Sequence, residues 1–102
     1  MAAAIKTKVD AIIADNAIVV FSKSYCPYCT KAKNLLAQHE VKVFILELDN
    51  IDDGAAIQAY LQTLTGQRTV PNIFISQNHI GGCDDLFKLE KSGQLKTLLA
   101  KI

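Results

Sequence analysis

Ile18-Val19-Val20-Phe21-Ser22-Lys23-Ser24-Tyr25-Cys26-Pro27-Tyr28-Cys29 carries a short apolar, β-branched run directly into two cysteines three positions apart. A segment of helical spacing follows, with Ala32, Leu35 and Leu36 on one side and Lys31, Lys33, Asn34 and Gln38 on the other. Residues 17–22 read as a strand covered on both faces, so the thiol pair stands at a strand-to-helix turn. If Cys26 opens that helix, its sulfur lies among unpaired backbone N–H groups at the positive end of the helix dipole, where a thiolate is favoured over a thiol. Cys26 is then the nucleophile. Cys29, one turn along the same face, can reach it and close a small disulfide ring. The plainer alternatives are a buried apolar cysteine at 26 and a structural support at 29. Pro27 suits the first helical position because it has no N–H to leave unpaired. Lys23 and the helix N-terminus are both candidates for stabilising negative charge at Cys26.

Outward from this stretch, Ile5, Val9, Ile12 and Ile13 form one stripe of an amphipathic helix over residues 3–16. Residues 41–48 read as a second strand, and strand–helix–strand implies a right-handed crossover and a parallel pair. Residues 49–53 are a polar break. Ile57, Tyr60, Leu61 and Leu64 then define a helix that stops at Gly66, with Tyr60 on the core side. Val70-Pro71 introduces a strand over 72–76, and Gln77-Asn78-His79 turns the chain into a brief strand at Ile80. So short a connection makes that pair antiparallel. Gly81-Gly82 precedes a helix with Leu86, Phe87 and Leu89, and Gly93 separates it from a last stretch with Leu95, Leu98, Leu99 and Ile102. The expectation is a three-layer α/β domain spanning residues 1–102, a mixed sheet of four strands with about five helices on its two faces.

At this length about two-thirds of the unfolded surface can be buried, enough for a core without staples. The net charge of +1, from 11 basic and 10 acidic residues spread along the chain, argues against a nucleic-acid footprint or a polybasic membrane anchor. No apolar run is long enough to span a bilayer, and the first residues lack the pattern of a secretory signal. A cytoplasmic location is expected, with an organelle after removal of a transit peptide left open. Three cysteines do not make a disulfide framework in such a chain, which shifts the reading towards catalysis or metal. His39 and His79 make no short ligand pair with a cysteine or with each other, so they are expected at the surface and no metal site is expected.

Three motifs, Lys23-Ser24-Tyr25-Cys26-Pro27-Tyr28-Cys29, Arg68-Thr69-Val70-Pro71-Asn72-Ile73-Phe74-Ile75 and Gly81-Gly82-Cys83-Asp84-Asp85-Leu86, together resemble those of the dithiol glutaredoxins of the thioredoxin-fold superfamily. The resemblance extends over nearly the whole chain. It implies a thioredoxin-like fold and a glutathione-dependent thiol–disulfide oxidoreductase that reduces glutathionylated proteins and disulfides. It implies no bound cofactor, with glutathione as cosubstrate, and a monomer. Catalysis falls to Cys26 and Cys29. Val70-Pro71 becomes a cis peptide, although base rates for X–Pro bonds favour trans. The glycyl carboxylate of glutathione is expected near Lys23, Gln58 and Arg68, and its cysteinyl backbone against Val70, beside Thr69, Pro71 and Tyr28. The γ-glutamyl carboxylate is expected on the N–H groups of Cys83 and Asp84, next to Gly82, with Asp84 or Asp85 accepting the ammonium.

Other readings compete. Asp84 and Asp85 suit a helix N-cap, and Gly81-Gly82 suits a turn that needs positive φ. Cys83 is read as a helix-start residue whose backbone matters more than its sulfur. Tyr25 and Tyr28 can wall a groove while their hydroxyls stay wet. A [2Fe–2S] carrier, bridged in a dimer by Cys26 and glutathione, is the alternative function, and Pro27 counts against it. A non-catalytic adaptor has no use for an intact reactive thiol pair.

Overall fold

The computed structural model describes residues 2–102. Helix α1 (Ala2–Asp15) leads into β1 (Ile18–Ser22), α2 (Pro27–Gln38) and β2 (Phe44–Glu47). After a single 3₁₀ turn (Leu48–Asn50) come α3 (Gly54–Thr65), β3 (Asn72–Ile75), β4 (Asn78–Gly81), α4 (Cys83–Ser92) and α5 (Gln94–Ala100). The sheet order is β2-β1-β3-β4, with β1 parallel to β2 and antiparallel to β3, and β3 antiparallel to β4.

Every residue of the two central strands is buried, as a β-branched run with no polar alternation requires. Because side chains alternate across a strand, that burial feeds two cores. Ile18, Val20, Ile73 and Ile75 pack with Ala32, Leu35 and Leu36 of α2, Leu86 of α4, and Leu95 and Leu99 of α5. Val19, Phe21 and Phe74 face the other way, onto Val9 and Ile13 of α1 and Ile57 and Leu61 of α3. The Phe21 and Phe74 rings meet edge to face with centroids 6.0 Å apart. This double covering gives the expected three layers.

Four local expectations are revised. Strand β2 is only Phe44–Glu47, because β1 offers partners for those four residues alone, Val19 opposite Phe44 through Ser22 opposite Glu47. The β3–β4 turn is Ser76-Gln77, one position earlier than the polar cluster suggested. Both residues have positive φ (50° and 68°), the geometry of a two-residue hairpin turn whose twist matches its strands. Leu64 is 46% exposed, since the face that α3 buries carries Ile57 and Leu61. His39 is half-buried and not at the surface; its Nε2 lies 2.8 Å from Glu90 Oε1, joining the end of α2 to α4. Tyr60 sits at the core's rim, its hydroxyl donating to Asp10 at 2.9 Å. Among the described residues no helix is long and apolar enough to cross a membrane.

Candidate active site

Strand β1 ends at Ser22, and the chain reverses through Lys23–Cys26, closed by the Cys26 N–H donating to the Lys23 carbonyl at 3.1 Å. Cys26 is the N-cap of α2 and Pro27 its first residue. The N-cap side chain sits over the first turn, where N–H groups have no partner within the helix. Here that side chain is a thiol. Burial pushes the Cys26 thiol up, but the N–H groups of Cys29 and Tyr28, the Cys29 thiol and the charge of Lys33 outweigh it and hold Cys26 below its ordinary value. Cys29, fully buried one turn on, is moved the other way, chiefly by burial and also by the negative charge of Cys26. Cys26 therefore ionises first, while Cys29 keeps its proton.

The cation that acts on Cys26 is Lys33, not the Lys23 that sequence position suggested. Lys33 lies two turns into α2, and Glu47 of β2 holds its ammonium at 2.7 Å. The charge of Lys23 is instead felt at Asp49. Asp49, in the 3₁₀ turn after β2, accepts the Ser24 N–H at 2.9 Å and also the Ser24 hydroxyl, so the turn before Cys26 is tied to the neighbouring strand. Composition gives no hint of these contacts; only the parallel pairing of β1 with β2 brings the ends of both strands together.

Val70-Pro71 is a cis peptide, as the resemblance implied. The loop that carries it lies against the thiol, with Cys26 Sγ 3.9 Å from the Val70 carbonyl oxygen. A groove of about 420 Å³ opens beside it, lined by Tyr28, by Thr69, Val70 and Pro71, and by Gly82, Cys83, Asp84 and Asp85 at the start of α4. Eight of the expected glutathione-site residues thus share one groove. Lys23, Gln58 and Arg68 line a separate depression at the other end of the loop, and Gln58 Nε2 donates to the Arg68 carbonyl at 2.8 Å.

Neither Asp84 nor Asp85 is the N-cap of α4; Gly82 is. The Asp85 carboxylate accepts the Gly82 N–H at 2.9 Å, whereas that of Asp84 is exposed and accepts no hydrogen bond among the described residues. The two glycines also differ. Gly81 has φ +117°, and a Cβ there would collide with Asp85. A Cβ on Gly82 meets nothing nearer than the Pro71 carbonyl oxygen at 3.6 Å, so the protein itself does not demand a glycine at 82. The residue that sequence reasoning missed is Gln67. Its side chain lines the same groove, and its only signal was an amide immediately before Arg68-Thr69-Val70-Pro71.

Among the described residues no three His, Cys, Asp or Glu side chains gather as a metal-holding group. The Cys83 thiol is buried and pushed up by that burial.

Comparison with known proteins agrees with this geometry. The family model described as "Glutaredoxin" matches residues 18–80. A glutaredoxin of Ricinus communis is 52% identical over 95 residues, covering 93% of each chain. The protein named glutaredoxin-C4, chloroplastic, of Oryza sativa subsp. japonica is 47% identical over 94 residues, covering 92% of this chain and 71% of that one. The crystal structure of a buckwheat glutaredoxin–glutathione complex superposes with a TM-score of 0.96 at 43% identity, covering 98% of this chain and 91% of that one.

Proposed function

The chain belongs to the glutaredoxin family and is a glutathione-dependent thiol–disulfide oxidoreductase, and we propose that Cys26 is its nucleophile and Cys29 its resolving thiol, within one domain of residues 1–102. The observation that carries the assignment is the seating of Cys26, half-buried, as N-cap of α2, where the nearby Cys29 and Tyr28 N–H groups favour its thiolate. A thiolate there attacks the glutathione sulfur of a mixed disulfide. The S–S bond breaks, the target leaves as a thiolate that takes a proton from water, and Cys26 is left joined to glutathione. A second glutathione thiolate attacks that sulfur, forms glutathione disulfide and restores the Cys26 thiolate. A protein disulfide needs one more step. Cys26 attacks one sulfur of the protein disulfide and is left joined to the target; Cys29 then loses its proton and attacks the Cys26 sulfur of that bond, which releases the reduced target and leaves a Cys26–Cys29 disulfide for two glutathiones to reduce.

Glutathione is proposed to bind with its cysteinyl backbone paired to Val70, as an added strand pairs with an edge. Its γ-glutamyl carboxylate would sit on the Cys83 and Asp84 N–H groups at the start of α4, with its ammonium on the unengaged Asp84 carboxylate. The glycyl carboxylate goes to Lys23 and Arg68, with Gln58 offering its remaining N–H. A monomer in the cytoplasm acting on glutathionylated and disulfide-containing proteins completes the proposal. Sedimentation with and without glutathione tests the monomer. Fractionation of the tagged protein separates the cytoplasm from the plastid named for the rice relative.

The deciding experiment is turnover of a glutathionylated mixed disulfide and of a protein disulfide by wild type, Cys26→Ser and Cys29→Ser. Loss of both activities is expected for Cys26→Ser, and loss of protein-disulfide reduction alone for Cys29→Ser. Full deglutathionylation by Cys26→Ser would overturn the assignment.

A further inference from the structure

The loop from Arg68 to Pro71 presents four successive carbonyl groups, and three of them are held by side-chain amides. Arg68 O accepts from Gln58, and both Thr69 O and Pro71 O accept from the single Nε2 of Gln67, at 3.0 and 2.9 Å. The exception is the carbonyl between those two, that of Val70, which faces the Cys26 sulfur. The Val70 N–H likewise donates to no group among the described residues. One side-chain amide thus brackets Val70 by holding the carbonyls on either side of that residue, whose own N–H has no partner among the described residues and whose own carbonyl meets only the Cys26 thiol.

Gln67 is itself anchored. Its backbone N–H donates to Thr65 Oγ1 at 3.0 Å, and that hydroxyl donates to the Leu61 carbonyl at 2.8 Å, inside the last turn of α3. Gly66, with φ +79°, swings the chain off the helix between them. Leu61 belongs to the core, so the bracket is referred through two hydrogen bonds to a buried part of the fold. The Val70 N–H shares its peptide plane with Thr69 O, so turning that plane pulls Thr69 O off Gln67, while the Pro71 O contact ties the chain on the other side of Val70 to the same donor.

We propose that Gln67 is a positioning residue for glutathione recognition, holding the backbone on either side of Val70 so that the N–H and C=O of that residue pair with the peptide-like cysteinyl unit of the ligand. The proposal rests on the reading of Val70 as the pairing partner of glutathione. Its chemistry predicts a specific asymmetry. Glutamate has the shape of glutamine but brings a carboxylate, with no donor at neutral pH, against two carbonyl oxygens. Methionine has the length and no strong polar group. The first should be worse than the second, although both lose the same two bonds.

The test uses two substrates, the mixed disulfide of glutathione with 2-mercaptoethanol and the symmetric disulfide of 2-mercaptoethanol, which lacks the glutathionyl group. For Gln67→Met, KM for the glutathione mixed disulfide should rise about fivefold, and for Gln67→Glu about tenfold or more. In both, kcat and the pH profile of Cys26 alkylation should stay within about twofold of wild type. Single-turnover oxidation of the reduced enzyme by the symmetric disulfide, with no free glutathione present to exchange with it, should not change. An unaltered KM in a Gln67→Glu protein that melts like wild type overturns the role of Gln67, and so does a loss that falls equally on both substrates. If wild type itself does not prefer the glutathionylated substrate, the reading of Val70 fails first and this one falls with it.

Discussion

Two helices of this protein begin with a cysteine, and their sulfurs are driven in opposite directions. At α2 the N-cap is Cys26, the next residue is Pro27, and the first turn carries no acid. At α4 the cap is Gly82, Cys83 is the first helical residue, and Asp84 and Asp85 fill the rest of the first turn. Both starts have the same peptide dipoles. Cys26 nevertheless falls below the usual thiol range while Cys83 rises above it, because burial dominates at Cys83 and the charges of Asp84 and Cys26 add to it against Lys31. A helix N-terminus therefore does not by itself activate a thiol. The sulfur must reach the free N–H groups, keep one side towards water, and have no carboxylate beside it.

The sharpest form of this contrast is kinetic. Iodoacetamide at neutral pH should label Cys26 about a hundredfold or more faster than Cys83, since rate follows thiolate fraction and access. Peptide mapping after a short pulse checks it, and comparable labelling of the two would remove the distinction. The same contrast sets stability against pH. A depressed folded pKa contributes stability above the ordinary thiol value that is lost as pH falls through the folded value. A raised one contributes stability below the ordinary value that is lost as pH climbs. The unfolding free energy of wild type relative to Cys26→Ser should therefore grow as pH rises towards the ordinary thiol value of about 8.5, whereas that relative to Cys83→Ser should hold level over the same range and shrink only as pH rises above it. Chemical denaturation at a series of pH values reads both slopes.

The approach to α4 offers the next test. Gly81→Ala meets both a positive φ and the Asp85 carboxylate, and should cost about 2 kcal/mol of stability. Gly82→Ala has room for its methyl group against the protein and should cost under about 1 kcal/mol. That methyl would stand in the groove, so KM for a glutathionylated substrate should rise in the second variant while its melting temperature holds. Equal melting losses in the two would return both glycines to a purely structural role.

What the sequence made legible follows from periodicity and order. The alternating burial of Ile18 and Val20 against Val19 and Phe21 needs only a β-branched run bounded by helices, and the position of Cys26 needs only the strand before it and Pro27 after it. Contacts set by register were not legible. Lys33 acts at Cys26 because Glu47 fixes its ammonium, and Glu47 is within reach because it pairs with Ser22 across the sheet. Gln67 and Asp49 work through single side-chain bonds to backbone atoms of loops, which leave no repeating pattern in a sequence.

Converting one helix start towards the other tests the electrostatic part alone. Tyr28 occupies the position in α2 that Asp84 occupies in α4, and it is 61% exposed, so an acid there needs no repacking. Tyr28→Asp should raise the Cys26 pKa and slow its alkylation at neutral pH by about three- to tenfold, with Tyr28→Asn as the uncharged control. Lys33→Met removes attraction where the first variant adds repulsion, and it acts from two turns away. Its effect should be in the same direction and smaller, about two- to threefold. Because Glu47 already has one buried oxygen without a partner among the described residues, losing the ammonium also leaves its carboxylate uncompensated. Lys33→Met with Glu47→Gln removes that penalty. If the double variant recovers stability but not the alkylation rate, the ammonium acts on the sulfur by its charge. If it recovers both, Lys33 serves Cys26 only by holding α2 against β2.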